Sequence, residues 1–494
     1  MNRIIIIGGG TSGFMTSSIL AKYRERSGLD FSIKLIHSEK IGSIGVGEST
    51  LFMIKELFSY LELKDEDWMA QCNATYKTSV RFEDFYKKGR YFHYPFGPSN
   101  KNASIDRWFV SKEFYPETFT PERASLYFNP QSILNEENRL TDDNNYIQDN
   151  AAYHFDSHLL GEFLKKYSID HGVEIINDNF YGTTQDKYGN IESIVCDDSS
   201  YCGDLFIDCS GFRSLLLGGV MGEEFIDYGN TLINDKALVA KIPYTNREEQ
   251  LKNYTNSVAL KNGWCWETPL WDCLGYGYVH TNKFATAEEI EQEFFEHVGE
   301  EVEYRTVHFK TGRYKKGWVK NVVAVGLSYG FLEPLEATGI ATTLENIFRL
   351  LECLSKRDMK VTRIDRDLFN HAVGKGIDGY KDFVEKHYYL SSRDDSDYWR
   401  YVTDVIDYNH HSEFLDQLII SRELDTLDRP YLNGQLFVVV GMNYSCYSKA
   451  MTLTQDIKDD RKNGFEDYIK GLNSEVKQYP SSYKYLADTI YKTV

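Results

Sequence analysis

The stretch Arg3-Ile4-Ile5-Ile6-Ile7-Gly8-Gly9-Gly10-Thr11-Ser12-Gly13 decides the fold. The isoleucine run reads as a strand buried on both faces, the glycines as a turn, and the residues through Tyr23 as a helix. A second strand at Phe31 to Ile36 completes a β-α-β unit of the length that dinucleotide-binding folds use. Gly8, Gly10 and Gly13 stand where a tight turn, close approach of the backbone to a pyrophosphate, and helix–strand packing each exclude a side chain. At Thr11 and Ser12 the backbone N–H groups of the new helix terminus face the phosphates. A second G-x-G-x-x-G match, at Gly374, Gly376 and Gly379, follows no strand and reads as a loop between helical patterns.

The acidic residue that holds a ribose normally ends the second strand. Here His37 occupies that place, and Glu39, two residues on, is the nearest carboxylate. Further along, Asp204-Leu205-Phe206-Ile207-Asp208-Cys209-Ser210-Gly211 reads as a strand and small-residue turn that returns the chain to the nucleotide, as in two-segment FAD folds. Taken alone it is equally a buried strand and turn.

With 494 residues the chain exceeds what one hydrophobic core supports. The expected architecture is α/β: a two-segment Rossmann-type FAD-binding fold, an antiparallel substrate sheet and a C-terminal α-helical lobe. The division expected is an FAD-binding and halide/substrate module over 1–355, with a loop-rich insertion at about 97–150, and a helical lobe over 356–494. A long helix starts at Ile340, with Ile340, Leu344, Ile347 and Leu351 at helical spacing. Lys77 is expected at the end of an acidic helix, where compensating the helix dipole is its ordinary explanation.

The formal net charge of −19 argues against broad affinity for nucleic acid or anionic membranes. The apolar runs are too short to span a bilayer, and the first leads into the glycine loop rather than a cleavage site, so a cytoplasmic protein is expected. The eight cysteines form no C-x-x-C pair, and no metal site is expected. Aromatic residues reach 15%, enough for a ring-stacking pocket beside ordinary core packing.

Three motifs in order then give a specific likeness: Gly45-Val46-Gly47-Glu48-Ser49-Thr50, Gly263-Trp264-Cys265-Trp266-Glu267-Thr268-Pro269 and Pro334-Leu335-Glu336-Ala337-Thr338-Gly339. Together they resemble the flavin-dependent tryptophan-halogenase family, and similarity from Asp382 to Ser396 carries the likeness into the helical region. The resemblance implies an oxidoreductase in which reduced FAD (FADH2), O2 and a halide ion give hypohalous acid, which then halogenates an electron-rich aromatic. It implies a separate NAD(P)H-dependent flavin reductase as partner, since the sequence holds no second nucleotide-binding unit. A homo-oligomeric assembly stays open.

By the same resemblance, Lys77 is the active-site lysine that captures or hydrogen-bonds hypohalous acid, and Glu336 the catalytic glutamate. Thr338 and Gly339 take the halide at a helix start. Gly47, Glu48, Ser49, Gly326, Gly339 and Ile340 join the first glycine loop and Glu39 around FAD. Trp264, Trp266 and Pro269 form a flavin-side wall that keeps organic substrate away and leaves the small halide as nucleophile. Tyr94, Phe96 and Phe437 line the substrate. The chain departs from the family's usual residues at Thr268 (usually Ile), Ala337 (Ser), Tyr94 (His in many relatives) and Phe437 (Trp in tryptophan-specific ones). The departures at Tyr94 and Phe437 point away from free tryptophan and toward another indole or a phenol. A flavin-dependent aromatic monooxygenase and a non-catalytic flavin-binding protein remain the competing readings.

Overall fold

The computed structural model describes residues 2–39, 47–98, 100, 103–408, 430–444 and 455–492. Gly45 and Val46 of the first motif therefore lie outside the described residues. The chain divides into two compact units of three segments each: 1–74, 155–235 and 308–380 in the first, and 75–154, 236–307 and 381–494 in the second. The sequence reading divides the chain once, at 355/356, whereas the units interleave.

The first unit is built on a six-stranded sheet in the order Trp318–Val319, Val322–Ala324, Leu205–Asp208, Arg3–Ile7, Ser32–His37, Glu174–Asn177. Its pairs are parallel except the outer Trp318–Val323 hairpin. Ile4 to Ile7 are buried throughout, because helices cover both faces of such a sheet. The Thr11–Ser27 helix packs on the Ser157–Asp170 helix through small residues: Ser17 Oγ and Ser18 Oγ lie 2.8 and 3.0 Å from Ser168 Oγ. The Thr338–Ser355 helix buries Ile340, Leu344, Ile347 and Leu351, as their spacing predicts.

The second unit centres on a seven-stranded sheet in which Lys236–Pro243, Cys273–His280, Gly263–Pro269, Tyr254–Ala259, Ser79–Glu83 and Tyr91–Pro95 lie side by side. All of these neighbours are antiparallel except Tyr254–Ala259 with Ser79–Glu83. Successive side chains along a strand alternate faces, and directly opposed residues share one. The register therefore places Trp266, Ser257, Phe82 and Phe92 on one face, with Trp264, Thr255, Val80 and Tyr94. The opposite face carries Cys265 and Tyr278, covered by Ile290 and Phe294 of the Ala287–Val298 helix.

Three expectations need correction. The region read as a loop-rich insertion holds the helices Ile105–Phe114, Pro121–Phe128, Ile133–Glu136 and Tyr146–Asn150, each too short to show a helical period. Ser104 caps the first by accepting from Arg107 N, and Pro121 opens the second. Lys77 ends a strand, Thr75–Lys77, preceded by the short Asp65–Trp68 helix, so it compensates no helix dipole. Gly374, Gly376 and Gly379 lie inside the Arg363–Tyr389 helix. There the missing side chain of Gly376 admits the Glu345 carboxylate, 2.5 Å from where a Cβ would stand. Among the described residues no helix is long and apolar enough to cross a membrane.

Candidate active site

In the first unit three backbone segments converge at the carboxyl ends of the central strands. Gly8 has φ +115°, and a Cβ there would lie 2.2 Å from Cys209 O. A Cβ on Gly13 would lie 2.0 Å from Gly8 O, and one on Gly326 (φ +69°) 2.5 Å from Ser12 Oγ. Cys209 N donates to Ile7 O (2.8 Å) and Val325 N to Asp208 O (2.9 Å), which locks the loops together. Gly10 and Gly339 are the contrast: a Cβ on either meets nothing within 4 Å. Both sit at the starts of long helices, Thr11–Ser27 and Thr338–Ser355, whose first N–H groups lack helical partners. Open space beside amide-rich helix starts suits an anionic, planar dinucleotide such as FAD. Thr11 contributes its backbone here, since its hydroxyl donates to Ser157 O.

The same unit carries the two acids of the cofactor reading. Glu48, on the Gly47–Ser49 strand, is half-buried, and its carboxyl pKa is pushed up to about 7 by desolvation, with the Asp156 charge adding to it. Ser49 is half-buried beside it and Gly47 buried. Glu39 is exposed; its N–H donates to Asn177 Oδ1 (3.2 Å). His37 is half-buried, its pKa lowered by desolvation and then by Lys165.

Glu336 closes the turn Pro334–Glu336 and is wholly buried. Ala337 follows in the left-handed region (φ +54°) and reverses the chain into the Thr338–Ser355 helix. Thr338 is buried, and its Oγ1 has no hydrogen-bond partner among the described residues. A buried hydroxyl beside free helix N–H groups costs stability unless something occupies the position, and an anion fits it. Ile340 lies buried in the first helical turn.

In the second unit Lys77 is wholly buried, and its Nζ lies 5.0 Å from the centroid of the Phe96 ring, a cation–π contact. Phe96 is held through its backbone: its N–H donates to Thr78 O (2.9 Å), and its carbonyl accepts from Asn129 Nδ2 (3.0 Å). Tyr94 meets Phe96 edge to face (5.5 Å) and stacks on Phe437 (5.9 Å, 24°). Trp264 is buried, and its ring centroid lies 6.0 Å from that of the partly exposed Trp266. Gly277 makes room for the Trp266 ring, 1.9 Å from where its Cβ would be. Pro269 ends that strand, and its carbonyl accepts from Thr75 Oγ1 (2.6 Å).

The structure thus gathers Gly8 to Gly13, Gly326, Thr338, Gly339 and Ile340 in one unit, and Lys77, Tyr94, Phe96 and Phe437 in the other. Sequence reading passed over Thr75, which opens the Lys77 strand, His154, which stands opposite it, and Thr255, which contacts His154. Their signal is short and local: single polar residues on strands of three to six residues. Among the described residues no group of three or more His, Cys, Asp or Glu is placed to hold a metal.

A glycine cradle of a dinucleotide fold in one unit and a buried lysine among aromatic rings in the other are features that a flavin-dependent enzyme combines. The chain belongs to the tryptophan halogenase family, whose profile matches residues 3–428. It is 34% identical to tryptophan 6-halogenase SttH of Streptomyces toxytricini over 425 residues, 81% of this chain and 80% of that protein. To tryptophan 7-halogenase RebH of Lentzea aerocolonigenes it is 31% identical over 422 residues, 81% of this chain and 78% of that one. Among solved structures, VirX1 without ligand superposes with TM-score 0.91 at 37% identity, covering 99% of this chain and 100% of that one. The SttH crystal structure gives 0.84 at 31%, covering 99% and 100%.

Two predictions follow from the first unit. Gly8→Ala must strain φ and displace the Cys209 carbonyl, and is expected to cost about 3 kcal/mol or more in urea unfolding. Gly10→Ala meets no atom and is expected to keep the wild-type midpoint while weakening FAD binding, read by flavin fluorescence; equal stability losses for the two would refute the cradle. For Glu48, the folded state holds its proton more tightly, so stability falls as pH rises from about 4.5 through about 7. Glu48→Gln should therefore melt above wild type at pH 8 and with it near pH 4.5, as scanning fluorimetry would show.

Proposed function

We propose that this chain is a halogenase that acts on an electron-rich aromatic of indole or phenol type, with Lys77 and Glu336 as its catalytic residues. The observation that carries the reading is the wholly buried Lys77 ammonium over the Phe96 ring, in a chain of the tryptophan halogenase family. Burying an ammonium is costly and is found mostly where a site uses it, which makes a lysine among aromatic rings a candidate functional group.

Bound FAD, reduced by a separate NAD(P)H-dependent reductase, supplies hypohalous acid from O2 and halide. The residues of this chain do the rest. The amides of Gly10, Thr11, Ser12 and Gly13 take the pyrophosphate, and Glu39, Gly47, Glu48, Ser49, Gly326 and Ile340 line the cofactor. The Thr338 hydroxyl and the Gly339 amide hold the halide. Trp264, Trp266 and Pro269 exclude bulky organic nucleophiles. Lys77 presents the electrophilic halogen, either by hydrogen-bonding hypohalous acid from its ammonium or, as the free amine, by forming a haloamine with loss of water. Glu336 orients the electrophile or takes the proton that leaves the ring. Tyr94, Phe96 and Phe437 stack on the aromatic substrate.

Products from a panel of tryptophan, simple indoles and phenols, incubated with FAD, a flavin reductase, NADH and chloride, bromide or iodide in turn, test this by mass spectrometry. Halogenated product is expected, larger for a simple aromatic than for free tryptophan. It should fall by at least about a hundredfold in Lys77→Ala, which still binds FAD. Hydroxylated product alone would mark a monooxygenase, and bound flavin without product a non-catalytic protein.

A further inference from the structure

The Thr75–Lys77 strand is not a neighbour of the Trp264–Pro269 strand in any sheet: the first pairs with Ala152–Asp156, and the second lies inside the seven-stranded sheet. A buried hydrogen-bonded chain joins them. Thr75 Oγ1 donates to Pro269 O at 2.6 Å and so uses its single proton. The 3.0 Å contact between Thr75 Oγ1 and His154 Nδ1 therefore has the imidazole donating. The other ring nitrogen, His154 Nε2, must then accept from Thr255 Oγ1, 2.9 Å away. For the neutral ring these contacts select the Nδ1–H tautomer.

His154 is wholly buried and stands opposite Thr75 on the antiparallel pair that also sets Lys77 opposite Ala152. Burial and then the Lys77 charge hold its pKa well below the ordinary value, so it stays neutral beside the lysine. Thr255 lies on the face of the large sheet that carries Trp264 and Trp266. One further step of the Asn256–Glu267 register brings it opposite Thr268, whose buried Oγ1 lacks a partner among the described residues. The chain of contacts thus runs from the end of the Trp-x-Trp-x-x-Pro strand, through Thr75 and His154, back to the same face at Thr255.

We infer that His154 is a positioning residue for halogen transfer: through Thr75 it fixes the Lys77 strand against the Trp264–Pro269 strand and so sets where the Lys77 ammonium points. The inference rests on the reading of Lys77 as the halogen-transferring group. Losing His154 should leave hypohalous acid formed but poorly delivered, because a displacement of about 1 Å at a reacting group costs up to about a hundredfold.

The test compares His154→Phe, which removes both hydrogen bonds, with His154→Asn, whose amide can still donate to Thr75. With bromide, each flavin turnover is apportioned between brominated aromatic and free hypobromous acid, the latter trapped with monochlorodimedone. Phe at 154 is expected to cut the brominated fraction by about tenfold or more and raise the trapped fraction, and Asn to restore most of it. Retention of coupling in His154→Phe overturns the inference, as does equal loss in both variants, which would mark general packing. Lys77→Ala is run alongside: if it keeps ring bromination, the lysine reading fails instead. If His154→Phe does not fold, two-bond ¹H–¹⁵N spectra of the wild-type protein, with His154→Asn to assign the signal, still decide. A neutral Nδ1–H imidazole across pH 5.5 to 9 is expected, and an Nε2–H tautomer or a titrating ring would overturn the assignment.

Discussion

The first unit depends on one backbone contact, the approach of Gly8 to the Cys209 carbonyl. The parallel register of Ile4–Ile7 with Leu205–Asp208 brings the two turns to the same edge, and only a residue without Cβ lets them touch. Asp208 then locks the second turn: its carboxylate accepts from Ser210 N and Oγ and from Leu216 and Leu217 N, and its carbonyl from Val325 N and Ser328 Oγ. These contacts oppose the burial that raises its pKa, and they tie the Asp208 carboxylate to the turn. Together they hold the turns after the Arg3–Ile7 and Leu205–Asp208 strands in one arrangement.

The second unit solves a different problem, holding polar groups inside an aromatic face. On that side of the sheet Phe82 stacks on Phe92, and His387 lies 4.6 Å from the Phe82 ring centroid. A lysine placed in such surroundings loses hydration and regains part of it from a ring quadrupole, here Phe96. The neighbouring hydroxyls and His154 are neutral and mutually satisfied, so they add no second charge to a site that already buries one.

The strand, glycine turn and helix at the start were legible in the sequence because their cause is local: Gly8, Gly10 and Gly13 lie within six residues of one another, next to a strand with an unmistakable apolar run. The helix from Thr338 was legible for the same reason, four apolar residues at a helical period. Lys77 was placed on the wrong element because a three-residue strand has no period to read, and the acidic residues before it favour a helix start. The interleaved units and the Thr75–Pro269 link join residues 194 positions apart, and no window of sequence carries that information. The second glycine motif misled for the opposite reason: Gly376 is required by the Glu345 side chain packed against a helix, a need indistinguishable in sequence from that of a turn.

The aromatic wall shows how little sequence is needed to shape a recognition surface once a fold is set. Gly434 and Gly441 are seven residues apart on the Pro430–Gly441 helix and so share a face. A Cβ on Gly434 would lie 2.5 Å from the Phe383 ring and 3.0 Å from that of Tyr94, and one on Gly441 2.3 Å from Phe92. The two glycines let the helix backbone rest directly on sheet-face rings, and Phe437, one turn beyond the first glycine, stacks on Tyr94. With the helix pressed this close, the space beside Tyr94 is set by the side chain at 437. A ring larger than Phe there would have to displace Tyr94 or lift the helix off its glycines, since close-packed interiors resist added volume. The pairing of Tyr94 with Phe437 is therefore one packed unit, in which a change of ring size on either side must be met by the other.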